Sequence, residues 1–297
     1  MEGHTLSDLI GRLAEEGLTG TPFEGLRLFR LSQPIPPTHG TIEPSICGAV
    51  QGKKRVHLGG ASYDYDSTHY LCCTMPIPAE GEVVEASPEC PVLGFLLTID
   101  TAIMTETVIE METQATIQTP TEVVPGLSVA AWDPGVIAAM QRVLELVDDP
   151  LAARVLGRGR MKELMFALLR GDAGPSIRQA LGASRDVSRA VSYLKENLSE
   201  SVSIDDLAKR AGMSRAVFHR KFKLATSYSP IQFIKAVRLN QAAMLIAGGS
   251  SVTDAAYQVG YASQSQFSRE FRRQFGRTPG RWRGVAGADG VALSAVS

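Results

Sequence analysis

The sequence predicts an α+β chain, with an N-terminal antiparallel barrel or sandwich of short strands followed by an all-α domain built from two helix-turn-helix units. Three observations predict it. From residue 186 onward, 16 Lys and Arg stand against 8 Asp and Glu, a net of +8, whereas residues 1–185 carry −9. Short apolar stretches broken by Gly, Pro, Asp and Ser fill residues 18–132, as antiparallel strands and their turns would. Finally, FHRKF at 218–222 returns as FSREF at 267–271, so a helical unit of about fifty residues occurs twice.

The chain has 297 residues, 44% of them hydrophobic, which is enough for two domains. No apolar run approaches the roughly 18 residues of a membrane span, and the N-terminal MEGHTLSDLIGRLAEEG is polar and amphipathic. A cytoplasmic chain with no membrane partner is expected. Its four cysteines, Cys47, Cys72, Cys73 and Cys90, are then thiols.

In the acidic part, ICGAVQG, KRVHLGG, SYDYD, HYLCC, GEVVEAS, VLGFLLTID and LSVAAWD read as strands, too short and interrupted for a parallel sheet. After Trp132 the pattern turns helical. Asp133-Pro134 and Asp149-Pro150 each set a capping carboxylate before a proline suited to the first helical turn. Val136, Met140, Val143, Leu144 and Val147 line one side of the first helix; Leu156, Leu164, Met165, Leu168 and Leu169 line the second.

Each repeat of the basic part reads helix, tight turn, helix. Ser203 caps a helix with Asp205 and Asp206 in its first turn, Gly212 turns the chain, and Ser214 caps the next helix. That helix buries Phe218 and Phe222, leaving Ala216, His219, Arg220 and Lys223 on the other side. The second unit buries Phe267 and Phe271 behind Ser265, Ser268, Arg269 and Arg272. Between them, residues 229–247 read as a stiff connecting helix with Ile234, Val237, Leu239, Met244 and Leu245 available for burial. Such units read DNA by laying the second helix in a major groove. Arg215, His219, Arg220, Gln264, Ser265 and Arg269 are expected near bases, Lys223, Arg272 and Arg273 near phosphates, and Ala216 and Ser268 among the DNA-binding residues beside them.

With these residues in place, VTDAAYQVGYASQSQFSREFRRQFGRTPGRWR at 252–283 resembles the second helix-turn-helix of the AraC/XylS transcription regulators, and the likeness runs through 186–283. Tyr261 and Trp282 stand where that family often has other aromatics, and Ala216 is smaller than some members present to the groove. EPSICGAVQGKKRVHLG, YDYDSTHYLCCTMPIP and VVEASPECP resemble the sensory domain of one subgroup, which implies a cupin-like barrel. Four regions are expected: a cupin-like barrel at 1–132, a helical dimerisation or linker region at 133–185, a DNA-binding domain at 186–283 and a tail at 284–297 whose small-residue composition reads as disordered. The resemblance also implies double-stranded promoter DNA, a small-molecule effector, a homodimer and RNA polymerase as partners.

His39, His57 and His69 lack the paired spacing of a cupin metal site, and the cysteines lack a Cys-x-x-Cys pair, so neither a metal nor another cofactor is expected. No catalytic residue is expected. The rival readings are a cupin-type isomerase or dioxygenase, or a DNA-repair methyl acceptor, fused to a DNA-binding domain. For the effector, Cys47, Tyr70 and Glu85 are the candidates, as polar groups among apolar strands. Cys47, with Lys53, Lys54 and Arg55 close in sequence, is also a candidate electrophile or redox sensor.

Overall fold

The computed structural model describes residues 5–114, 123–181, 186–200 and 202–282. A capped helix opens it: in α1 (Leu6–Leu13) the Thr5 hydroxyl accepts from the Asp8 amide while the Asp8 carboxylate accepts from the Thr5 amide, satisfying two donors a helix start leaves free. The strands then follow: β1 (Gly17–Gly20), β2 (Leu26–Leu31), β3 (Ile35–Ile42), β4 (Ser45–Gln51), β5 (Lys53–Leu58), β6 (Ala61–Asp66), β7 (His69–Cys73), β8 (Ile77–Val83), β9 (Val92–Thr98) and β10 (Leu127–Ala131). They form one antiparallel sheet of order β1-β2-β9-β4-β7-β6-β5-β8-β3, with β10 paired to β7. It curls into a half-barrel, which decides between the barrel and sandwich alternatives.

Alternation along the strands separates two cores. Cys47, Ala49, Val56, Tyr65, Leu71 and Cys73 face the interior. Ile46, Tyr70, Cys72, Phe95 and Leu97 face outward, under a layer that includes α1, α3 (Pro134–Leu144) and α4 (Pro150–Arg170). Cys72 and Cys73 therefore point to opposite sides. Asp133 and Asp149 cap α3 and α4 ahead of their prolines. Leu156, expected on the apolar side of α4, is instead exposed.

β1, β2, β3 and α2 escaped the sequence reading, the last two for identifiable reasons. β3 contains Pro36 and Pro37, which cannot donate to a ladder; it is tolerated because β3 ends the sheet and shifts register between Ile35 and Thr38. α2 (Thr101–Gln114) lies within the stretch read as strands, and its Thr, Ile and Val content masks a helix that buries Met104 and Thr107 and packs Ile103, Val108 and Met111 partly against the same core.

α5 (Gly174–Leu181) and α6 (Asp186–Glu196) lead to the first reader, α7 (Ile204–Arg210) and α8 (Arg215–Thr226). The connecting helix α9 (Pro230–Ala247) reaches the second, α10 (Val252–Gln258) and α11 (Gln264–Phe275), followed by α12 (Pro279–Trp282). Met244 of α9, expected to be available for burial, is 56% exposed. The tail at 284–297 lies outside the described residues.

Candidate nucleic-acid interface

The two readers repeat one another in three dimensions. Ser203 and Ser251 cap the first helices by accepting from Asp206 and Asp254 amides; Ser214 and Ser263 cap the second helices. Gly212 and Gly260 turn the chain at φ 62° and 85°, and the next amides reach back identically, Met213 to Ala208 and Tyr261 to Ala256, each 2.9 Å. Ring centroids of Phe218 and Phe222 lie 5.3 Å apart, and those of Phe267 and Phe271 5.4 Å apart, with all four rings fully buried. Burying these faces leaves the opposite faces to solvent.

Arg215, Ala216, His219, Arg220 and Lys223 are exposed on α8; Gln264, Ser265, Arg269, Arg272 and Arg273 are exposed on α11, with Ser268 half-buried among them. They are not equally free. Arg215 pairs with Asp205 at 3.1 Å, and Gln264 donates to the Thr253 hydroxyl at 3.0 Å. Among the described residues, Arg220, Lys223, Arg269, Arg272 and Arg273 have no ion pair. Each reader thus presents uncompensated positive charge on its outer helix.

Spacing between readers is held by a network that the sequence reading missed. Glu270, only 13% exposed in its side chain, accepts from Lys235 of α9 at 3.0 Å, from the Tyr261 hydroxyl at 2.8 Å and from Gln266 at 3.2 Å. Burial pushes its carboxyl pKa up, but these hydrogen bonds outweigh that and hold it below the usual value.

Both readers dock on the half-barrel. Phe218, Phe222 and Phe233 belong to the same apolar cluster as the barrel interior, and the Gly126 amide donates to the Ala225 carbonyl at 2.8 Å. On the second reader's side, Asn240 donates to the Gly40 carbonyl at 2.7 Å, and His39 meets Phe275 edge-on at 4.9 Å. Between the half-barrel and α9 and α11 lies a cleft of about 320 Å³, lined by His39, Glu80, Tyr228, Lys235 and Arg273 among others. Burial lowers the His39 pKa, against the pull of Glu80 3.4 Å away and of the Gln274 backbone.

The three residues expected to line an effector pocket are not brought together. Cys47 faces the barrel interior; Tyr70 lies on the opposite face of the sheet, stacked at 4.8 Å on Trp132; Glu85 is exposed beyond the end of β8. Strand parity separates Tyr70 from Cys47, and the end of β8 separates Glu85 from both, neither of which local polarity reveals. Cleft residues were missed for the same reason, since they come from β3, β8, α9 and α11. His57 is occupied by Glu82 at 2.8 Å and Ser62 at 2.9 Å, and His69 by Thr68. Among the described residues no group of three or more His, Cys, Asp or Glu could hold a metal ion.

A pair of capped basic readers on one connecting helix, docked against a half-barrel, defines a two-reader helix-turn-helix protein with an N-terminal β domain. Residues 22–176 match the family model for the AraC-type transcriptional regulator N-terminus, and residues 207–284 match a helix-turn-helix domain. The chain belongs to the AraC/XylS family of transcriptional regulators. It is 31% identical over 144 residues to the virulence regulon transcriptional activator VirF of Yersinia enterocolitica, covering 48% of this chain and 52% of VirF. With the regulatory protein SoxS of Escherichia coli K12 it shares 36% identity over 94 residues, 31% of this chain and 88% of SoxS. The chain therefore spans about half the length of the virulence activator it matches. The solved structure of ToxT from Vibrio cholerae O395 covers 93% of this chain and 99% of its own, with a TM-score of 0.52 and 12% identity, a likeness of fold.

Proposed function

We propose that this chain is a one-component transcription regulator that reads promoter DNA with α8 and α11 and takes a small-molecule effector in the cleft between half-barrel and second reader. The observation that carries this reading is the repeated pair of capped helices, each turning unpaired cations outward behind two buried phenylalanines. Arg215, Ala216, His219, Arg220, Gln264, Ser265, Ser268 and Arg269 face bases; Lys223, Arg272 and Arg273 face phosphates. Arg215 exchanges Asp205 for the DNA on binding. Two readers on a rigid connector address major-groove faces about 34 Å apart, one helical turn.

An effector in the cleft touches both the half-barrel and the helices that orient the second reader, so it can favour one arrangement over another. It shifts the balance only by its difference in affinity for the two. Lys235 suits an anionic molecule, and one solved ToxT structure is described as bound to an unsaturated fatty acid. Leu151 and Val155, 73% and 69% exposed on one face of α4, suit contact with a second copy. The protein works as a cytoplasmic homodimer without catalysis, with RNA polymerase as a further partner. No described helix is long and apolar enough to cross a membrane.

Gel-shift titrations of two variants test the DNA assignment. Arg220→Ala should lose about 1–3 kcal/mol of discrimination between operator and mismatched duplexes. Lys223→Ala should weaken all duplexes alike and flatten the salt dependence by about 0.9 in log–log slope. Wild-type behaviour of both variants on operator and random DNA would refute it.

A further inference from the structure

The half-barrel interior holds one group out of keeping with an apolar core. Lys54 on β5 is fully buried among apolar and aromatic side chains. Its Nζ lies 3.8 Å from Sγ of Cys47 on β4 and 4.4 Å from the centre of the Phe29 ring. Tyr65 on β6 donates its hydroxyl to the same sulfur at 3.4 Å. β4 and β5 are joined through Gly52 alone, at φ 74°, yet they do not pair with each other. β4 sits between β9 and β7, and β5 between β6 and β8. Cys47 and Lys54 thus meet inside the half-barrel from two separate arms of the sheet.

We propose that Cys47 and Lys54 form an oxidative modification site, at which hydrogen peroxide joins Sγ to Nζ as a sulfenamide and staples the two arms together. In the first step the Cys47 sulfur gives two electrons to peroxide and takes one oxygen, yielding a sulfenic acid and one water. In the second, the Lys54 lone pair attacks that sulfur. The S–N bond forms, the S–O bond breaks, and the oxygen leaves with an amine proton as a second water. One peroxide is reduced to two waters, and the protein loses two hydrogens. Two equivalents of a small thiol reverse the bond, returning thiol and amine and leaving the reductant as its disulfide.

The surroundings favour this outcome over further oxidation. Burial lowers the Lys54 pKa, against the pull of Cys47, which enlarges the share of free amine carrying the attacking lone pair. The Tyr65 hydroxyl holds the sulfur, and the amine already stands at contact distance. Cys47 retains 7% exposure, whereas Cys72 and Cys73 have none. Burial pushes the Cys72 thiol up to about 12 and that of Cys73 up as well. Cys90 is exposed. The proposal requires nothing of the DNA or effector assignments.

Peptide mass mapping of the full chain after graded hydrogen peroxide tests it. The expected product is tryptic peptide 31–53 joined to Lys54-Arg55, lighter by two hydrogens than the sum of the two free peptides, told from singly oxygenated uncut 31–55 of the same mass by its fragment ions, and lost on treatment with dithiothreitol. Cys90 should gain oxygen in the same samples. Lys54→Met should leave Cys47 holding oxygen that dimedone traps; should that variant fail to fold, Cys47→Ser, which keeps the lysine, should give no linked peptide. Oxygen retained on wild-type Cys47, or a free Cys47 thiol after Cys90 has oxidised, would overturn the proposal.

Discussion

Replacing the two turn glycines by alanine, one at a time, should cost very different amounts although both stand at the same place in their units. Gly212 and Gly260 both adopt positive φ, 62° and 85°, where a side chain costs about 1–2 kcal/mol. Alanine also narrows the unfolded ensemble, offsetting about 0.4–1 kcal/mol of that. At Gly212 a methyl group would meet nothing within 4 Å, so the net loss should be about 0.5–1 kcal/mol. At Gly260 the same methyl would lie 2.7 Å from the Leu198 carbonyl oxygen and 2.8 Å from Nη2 of Arg238. That guanidinium is itself held, donating to the carbonyls of Glu200 at 2.7 Å and Gly260 at 3.3 Å. Backbone must move, and such overpacking adds about 1–3 kcal/mol, for a total of roughly 2–4. Urea unfolding followed by circular dichroism, with operator binding measured alongside, separates the two cases. Gly260→Ala should lower the midpoint of the last transition and weaken operator binding, whereas Gly212→Ala should nearly match wild type. Equal losses, or a larger loss at Gly212, would refute the reasoning.

The same comparison of units makes Ser227→Gly an expected stabilisation. Ser227 ends α8 at φ 63°, where the second unit has Gly276 at φ 68°, and relieving that conformation should add about 0.5–1 kcal/mol; a lowered melting temperature would count against it. The Glu270 network should show in the pH dependence of unfolding. Because its folded pKa lies below the unfolded value, its contribution is complete above the usual carboxylate range and is lost as pH falls through the folded pKa. Glu270→Gln should cost about 1–3 kcal/mol at neutral pH, and melting curves of wild type and variant should converge in acid, so a gap that persists there would argue against the network.

Much of the DNA-reading part was legible in the chain itself. Caps, turn glycines and Phe pairs four residues apart act within one or two helical turns, so their spacing in sequence is their spacing in space. Ser203, Gly212, Ser214, Phe218 and Phe222, and their echoes from Ser251 to Phe271, carried the architecture of both readers. The β domain was legible as a class, by short strands and their turns, but not in its partners. β3 hid behind its prolines and α2 behind its β-branched residues. Which polar groups meet depends on strand order and on the parity of each strand, and these are properties of pairing between distant segments. Hence Tyr70 lies outside, Glu85 beyond the strand, and Lys54 inside against Cys47.

By itself, the amino-acid order determined an acidic β domain, a basic domain with two capped readers, and the cationic face of each, because those features are set by neighbours along the chain. Only the tertiary structure decided that the first reader shares its apolar core with the half-barrel, that a cleft opens beside the second, and that a lysine and a cysteine on unpaired strands touch. Those contacts follow from how a curled sheet brings its arms together, a long-range packing outcome that no local pattern encodes.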